Sequence, residues 1–194
     1  MKYIKMLGIA AVAAMSLMAF AGSASATELF SGATTLKAPV AIKASLQTGA
    51  TANLTDTAGN PIDTCSGSEV TGSTTATQAA TLSGAATVAW SGCTQVTKTL
   101  KGGTLTISHI AATTNGTVTS DAAEVTISVF GVSCVYGTGA GKDLGTLVGS
   151  TTKTATLNIN VIVNEVGSQF LCPDTAKWVA NYQVTSPDPL HVEA

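Results

Sequence analysis

The chain has 194 residues, of which 10% are charged and 45% hydrophobic, and its net charge is −2. It contains no arginine, so it offers no basic patch of the kind that nucleic acid or an anionic membrane surface requires. Low charge with high hydrophobicity also argues against a disordered chain, which shows the reverse.

Residues 1–26 predict a secretory signal peptide. Lys2 and Lys5 form a basic stub, Met6 to Phe20 an apolar run, and Ala24-Ser25-Ala26 a small-residue cleavage site. The run is short for a membrane span, and no later segment reaches that length. Cleavage near Ala26 is expected to leave residues 27–194 as one domain, secreted to an extracellular or periplasmic space.

The remainder reads as alternation punctuated by turn residues. Residues 27–38 are weakly patterned. Val40, Ile42 and Ala44 alternate with Ala41, Lys43 and Ser45, which predicts a strand. Asn53 to Asp56 and Ile62 to Cys65 flank Thr57-Ala58-Gly59-Asn60-Pro61, whose residues suit a turn. An extended pattern continues over Ser66 to Ser73 and returns from Thr81 to Trp90, ending at Ser91-Gly92-Cys93. Thr104 to Ser108 alternates cleanly. Asn115-Gly116 is a strong hairpin signal, because both positions tolerate positive φ.

Glu124 to Tyr136 is the longest predicted strand. Val125, Ile127 and Val129 lie on one face and Phe130, Val132 and Cys134 on the other. It is therefore expected to be covered on both sides, with Phe130 in the core. After a glycine-rich connection, Gly137 to Gly145, Thr154 to Val163 sends Ala155, Leu157, Ile159, Val161 and Val163 inward. Ala176, Trp178, Ala180, Tyr182 and Val184 share one face of the last strong strand, Ala176 to Thr185. Pro187 and Pro189 close the pattern before a short tail. The predicted fold is all-β, a single antiparallel β-sandwich or barrel domain.

Cys65, Cys93, Cys134 and Cys172 are an even set in an exported chain and predict two disulfides. Three connectivities are open. Cys65 and Cys93 bracket two strand-like runs whose midpoint falls near Gln78, in a polar stretch able to turn. That favours Cys65–Cys93 and leaves Cys134–Cys172. Each bridge would close a loop of about 30–40 residues, worth roughly 3.5–4 kcal/mol in the chain-entropy account. No Cys-x-x-Cys occurs and two histidines make few neighbours, which disfavours metal and redox roles.

Motifs for chemistry are sparse. Gly137 to Lys142 fails as a phosphate loop, because Tyr136 stands where Gly is needed and Asp143 where Ser or Thr is. His109 and His191 have no Gly-x-Ser-x-Gly partner and read as a packed or rim residue and a tail residue. Asp56, Asp63, Asp121, Glu124 and Asp143 fall near turns, where solvated acids are the rule, whereas Glu69 and Glu165 lie in or beside strands. Glu69, Asp121 and Glu124 are the candidates for a carboxylate-dependent hydrolase. Asp56, Asn60 and Asp63 gather oxygen donors suited to calcium, in a segment that Pro61 also explains as a turn. Trp90, Trp178, Tyr136 and Tyr182 would form a sugar-stacking platform on an exposed face, but Trp178 and Tyr182 fall on the core side. No cofactor is implied.

Several segments carry a family resemblance: Cys65-Ser66-Gly67-Ser68, Ala89-Trp90-Ser91-Gly92-Cys93-Thr94, Ser133-Cys134-Val135-Tyr136-Gly137 and Phe170-Leu171-Cys172-Pro173. With the ending Ala180 to Pro187 and Leu190-His191-Val192, the chain resembles exported bacterial β-proteins with four cysteines and Thr/Gly-rich strands. More loosely, it is similar to exported activators of alkane oxidation (PraB-like proteins). Those share Gly-x-Cys strand ends and a closing Ser-Pro-x-x-Leu element, matched in part by Ser186 to Leu190. The resemblance implies no catalytic residues.

The expected function is that of an exported, non-enzymatic β-domain, a structural or adhesion-like binding protein of the cell surface or matrix. Its expected partner is an apolar or glycan surface, or another copy through an unpaired edge strand. The alternatives are a small secreted carboxylate hydrolase and a calcium-dependent adhesin-like module.

Overall fold

The computed structural model describes residues 26–194, so the expected signal peptide, Ala26 apart, lies outside the described residues. Sixteen strands and no helix occur among them. The first half of the chain supplies β1 (Thr27–Ser31), β2 (Thr34–Thr35), β3 (Val40–Leu46), β4 (Ala52–Thr55), β5 (Pro61–Thr74), β6 (Gln78–Ala79), β7 (Leu82–Cys93) and β8 (Val96–Lys101). The second half supplies β9 (Thr104–His109), β10 (Gly116–Asp121), β11 (Glu124–Val129), β12 (Val132–Gly137), β13 (Lys142–Val148), β14 (Thr156–Glu165), β15 (Thr175–Ser186) and β16 (His191–Glu193).

Eight of these close into an antiparallel barrel in the order β3-β5-β7-β9-β10-β13-β14-β15, with β15 returning to β3. The closure follows from the alternation of β14 and β15. Leu157, Ile159, Val161 and Val163 on β14, and Ala176, Ala180, Tyr182 and Val184 on β15, are all buried, while their neighbours face solvent. One face of each strand thus has a single place to go, the barrel interior.

Two glycines let the backbone turn the barrel's corners. At Gly84, where β7 passes from β5 to β9, an added Cβ would stand 1.8 Å from the Ser73 carbonyl oxygen. At Gly145, with φ +144°, it would stand 2.0 Å from the Asn158 oxygen. No larger residue fits either approach.

β5, with 14 residues, and β7, with 12, outrun the barrel. Their far halves, with those of β14 and β15, frame a lower compartment. There β4 inserts between β15 and β5, with Leu54 opposite Trp178 and Ala52 opposite Cys65. On the other side β12 leaves β14, and β11 and β8 follow in turn. The other end of the barrel is capped by a small sheet in which β1 pairs with β16, β2 and β6. Leu190 and Val192, both fully buried, seal it, and Leu190 reaches the barrel interior.

Both disulfides join the expected partners, Cys65 to Cys93 and Cys134 to Cys172. Cys65 and Cys93 sit opposite each other on β5 and β7, whose connection passes through β6 at Gln78.

Several expectations need correction. Residues 124–136 form two strands, because Phe130 and Gly131 take positive φ (50° and 82°) and reverse the chain into the β11–β12 hairpin. Phe130 therefore leaves the core and is 98% exposed. The weakly patterned N-terminal segment holds β1, which cross-chain pairing with β16 stabilises rather than its own alternation. His191, expected in a tail, is fully buried and stacks on Phe30 at 5.3 Å. Asp63, expected among solvated turn acids, is buried on β5. A hairpin does form at Asn115-Gly116, but its loop spans 110–115 and closes through Ile110 N–H donating to Asn115.

Candidate functional site

The interior is a line of small cavities. One of about 60 Å³ lies in the upper barrel and one of about 30 Å³ below it, sharing Val70, Leu105 and Leu157. The latter shares Val88, Gly102 and Trp178 with a third, of about 60 Å³, in the lower compartment. That lowest cavity gathers the aromatic residues. Trp90 from β7 and Trp178 from β15 pack at 5.8 Å between ring centroids, tilted by 59°, and Tyr136 from β12 faces the same space. The alternation places Trp178 inward, as its sequence position predicts, but the ring is only partly buried.

The β7–β8 side of this compartment carries no strand ladder. Side chains close it instead, with Asp63 at the centre. Its Oδ1 accepts from the N–H groups of Thr64 (2.8 Å) and Gln95 (2.9 Å) and from the Thr94 hydroxyl (2.8 Å). Its Oδ2 accepts from the Thr97 hydroxyl. Trp90 Nε1 donates to Thr99 Oγ1 at 3.0 Å, and that hydroxyl donates to the Val88 carbonyl across the seam. Hydrogen bonding to the ionised form is what makes a buried carboxylate tolerable without a cation. The sequence carries a signal for this role, since Asp63 shares its strand face with Cys65. Cys65 and Cys93 lie beside Asp63, but both sulfurs are spent in the disulfide and offer no thiolate to a metal.

The tyrosines are neutral fixtures. Burial, aided by the Glu165 charge, pushes the Tyr136 hydroxyl up to about 12. Burial pushes Tyr182 up to about 12 as well, against the opposing effect of its 2.9 Å hydrogen bond with Ser68.

The acids weighed for hydrolysis do not converge. Glu69 pairs with Lys43 at 2.8 Å, Asp121 accepts from the Gly141 N–H, and Glu124 pairs with Lys101 at 2.6 Å on the cavity rim. Glu165 accepts from the N–H groups of Ser168 and Gln169. The calcium set is also divided. Asp56 accepts from the N–H groups of Ala58 and Asn60 and from the Asn60 amide, which with the Gly59 N–H hold it below the usual carboxylate range. Asp63 belongs to the buried network instead. His109 bonds the Thr113 carbonyl within its own hairpin.

Outside, the lower end exposes several apolar side chains among polar ones. Phe130 on the β11–β12 turn and Phe170 on the β14–β15 loop are both 98% exposed. Leu171 and Val96 are exposed beside them. The Cys134–Cys172 bridge ties the β14–β15 loop to strand β12, and Val166 N–H donates to the Val135 carbonyl at 2.7 Å. Val96 lies opposite Ser128, two residues before Phe130. Phe170 and Leu171 carried no periodic signal, because they belong to a loop.

Comparison with known protein families, with curated proteins and with solved structures finds no match to this chain. No helix among the described residues is long and apolar enough to cross a membrane.

Proposed function

We propose that the chain is an exported, non-enzymatic binding module of the cell surface or matrix, which contacts an apolar surface through its lower end. The observation that carries this reading is the pair of fully exposed phenylalanines, Phe130 on the β11–β12 turn and Phe170 on the β14–β15 loop, the loop being tied by a disulfide to β12. Isolated exposed apolar residues are ordinary, but two bare aromatic rings on a hairpin turn and a loop that is cross-linked to that hairpin favour an interaction site. The scattering of the acids into separate surface and turn networks supports a non-enzymatic role. Closure of the upper barrel removes most free strand edges, which weighs against self-association by strand addition.

The test is partition of purified protein between buffer and a hexadecane emulsion. The native protein is expected to concentrate at the hydrocarbon interface, and the F130S/F170S variant to remain largely in buffer with unchanged thermal stability. Equal partition of the two proteins would refute the reading, and capture by polysaccharide alone would replace the apolar surface with a glycan.

A further inference from the structure

The two disulfides hold the chain in different ways. Cys134 lies on β12 and Cys172 on the β14–β15 loop, and β12 pairs with β14 only at Tyr136–Glu165 and Gly137–Asn164. That bridge fixes a loop beyond the end of a ladder. Cys65–Cys93 instead joins two strands that are already paired. The register runs from Gly67–Ser91 to Gly72–Ala86 on one side of it. On the other side, Thr94 N–H donates to the Thr64 carbonyl at 2.9 Å. Opening this bridge would leave β5 and β7 in place, with two thiols facing each other.

Asp63 stands beside them. Its Oδ1 takes three donors, whereas Oδ2 takes the Thr97 hydroxyl alone. A carboxylate oxygen has two lone pairs, so one on Oδ2 is left, and Cys65 Sγ lies 3.5 Å away. A disulfide sulfur carries no proton, so in the bridged state two electron-rich atoms meet. Among the described residues, no lysine or histidine forms an ion pair with this buried acid. The ligand atoms of Asp63, Cys65 and Cys93 all lie within 4.8 Å of one another.

Two thiolates and a carboxylate oxygen are a ligand set for zinc, with a fourth position open to water. We propose that the Cys65–Cys93 bridge is a reducible latch on a zinc site, in which Cys65 Sγ, Cys93 Sγ and Asp63 Oδ2 bind Zn²⁺ once the disulfide is opened. The reductant is a dithiol. One of its sulfurs attacks Cys93, which is only partly buried, and the bond to Cys65 breaks. Its second sulfur then displaces Cys93 and leaves as part of a new disulfide, so two electrons and two protons pass to the protein. Zinc replaces those two protons and supplies the positive charge that Asp63 lacks. Cys134 and Cys172 are both buried, which shields their bridge from the same attack. The site does not depend on the exposed phenylalanines.

Graded reduction of the purified protein tests this, with a carboxyalkyl phosphine as a reductant that competes weakly for metal. Alkylation and peptide mapping should find Cys65 and Cys93 free while Cys134–Cys172 is intact, with the far-ultraviolet spectrum unchanged. Cobalt(II) is the probe, because its thiolate complexes absorb in the near ultraviolet. The protein at that stage should bind one equivalent with a thiolate band that zinc abolishes, and the untreated protein should show no band. Loss of a direct ligand should cost at least what loss of a supporting partner does. Asp63→Asn should therefore weaken cobalt binding by about tenfold or more. Release of Cys134 and Cys172 first, or unfolding when Cys65–Cys93 opens, would overturn the latch. A folded, reduced protein that binds no cobalt, or a Cys65→Ser/Cys93→Ser variant that binds it equally well, would overturn the site. The comparison of native protein before and after reduction decides the matter even if Asp63→Asn does not fold.

Discussion

The upper barrel and the lower compartment share four long strands but close in different ways. Above, every seam is a backbone ladder, and closure depends on glycines that let chains approach at Gly84 and Gly145. Below, the β7–β8 seam is closed by side chains, the Asp63 carboxylate and the hydroxyls of Thr94, Thr97 and Thr99. A backbone ladder is indifferent to most side chains, whereas a hydroxyl–carboxylate seam depends on particular residues. The upper region is thus a scaffold, and the lower one has the specific chemistry. Two of its lining residues, Tyr136 and Trp178, also carry buried polar atoms without a protein partner.

Variants that separate the two modes of closure should differ in size. The largest loss is expected from Gly84→Val, whose side chain cannot coexist with the Ser73 carbonyl. It should cost more than about 4 kcal/mol in urea unfolding, or abolish folding. Replacing Cys134 and Cys172 by alanine should cost roughly 3.5–4 kcal/mol. Because the bridge lies wholly in the lower end, amide exchange in β12 should rise more than in β10. Asp63→Ala strands four donors and should cost about 3 kcal/mol by the same unfolding assay, with faster exchange confined to the β7–β8 seam. Equal acceleration in the upper barrel would show that the two regions unfold as one.

The smallest effect per residue is a pH dependence. Tyr136 and Tyr182 hold their protons in the folded state to about 12, whereas an unfolded tyrosine loses its proton near ~10. The folded state then binds protons that the unfolded chain has lost. Stability should be intact below pH ~10 and fall as pH rises toward 12, by on the order of 2 kcal/mol per tyrosine. The slope should halve in Tyr182→Phe, a scaffold change, and the tyrosine contribution should vanish when Tyr136→Phe is added below.

Much of the scaffold is legible in the sequence. The alternation over 155–163 and 176–184 marks the inward faces correctly, and the placement of Cys65 and Cys93 about a polar turn anticipates their bridge. The lower end is less legible, for physical reasons. The Val129-Phe130-Gly131-Val132 turn shifts the apolar alternation from 125, 127 and 129 to 130, 132 and 134, but the same shift also reads as a single strand covered on both faces. Asp63 lies next to a turn in sequence, but its partners come from Thr94 to Thr97, about thirty positions away. An environment assembled from distant segments leaves little local trace beyond the strand face that Asp63 shares with Cys65. β1 is similar, since its pairing with β16 lies at the opposite end of the chain.

That pairing has a consequence for the order of assembly. The cap joins Glu28 to Glu193, so almost the entire described chain must be present before the cap can form. Contacts of such separation pay their loop-closure entropy in full and form late. The barrel mouth beneath Leu190 therefore stays open until the final strand arrives, and the first strand of the fold is among the last to find its place.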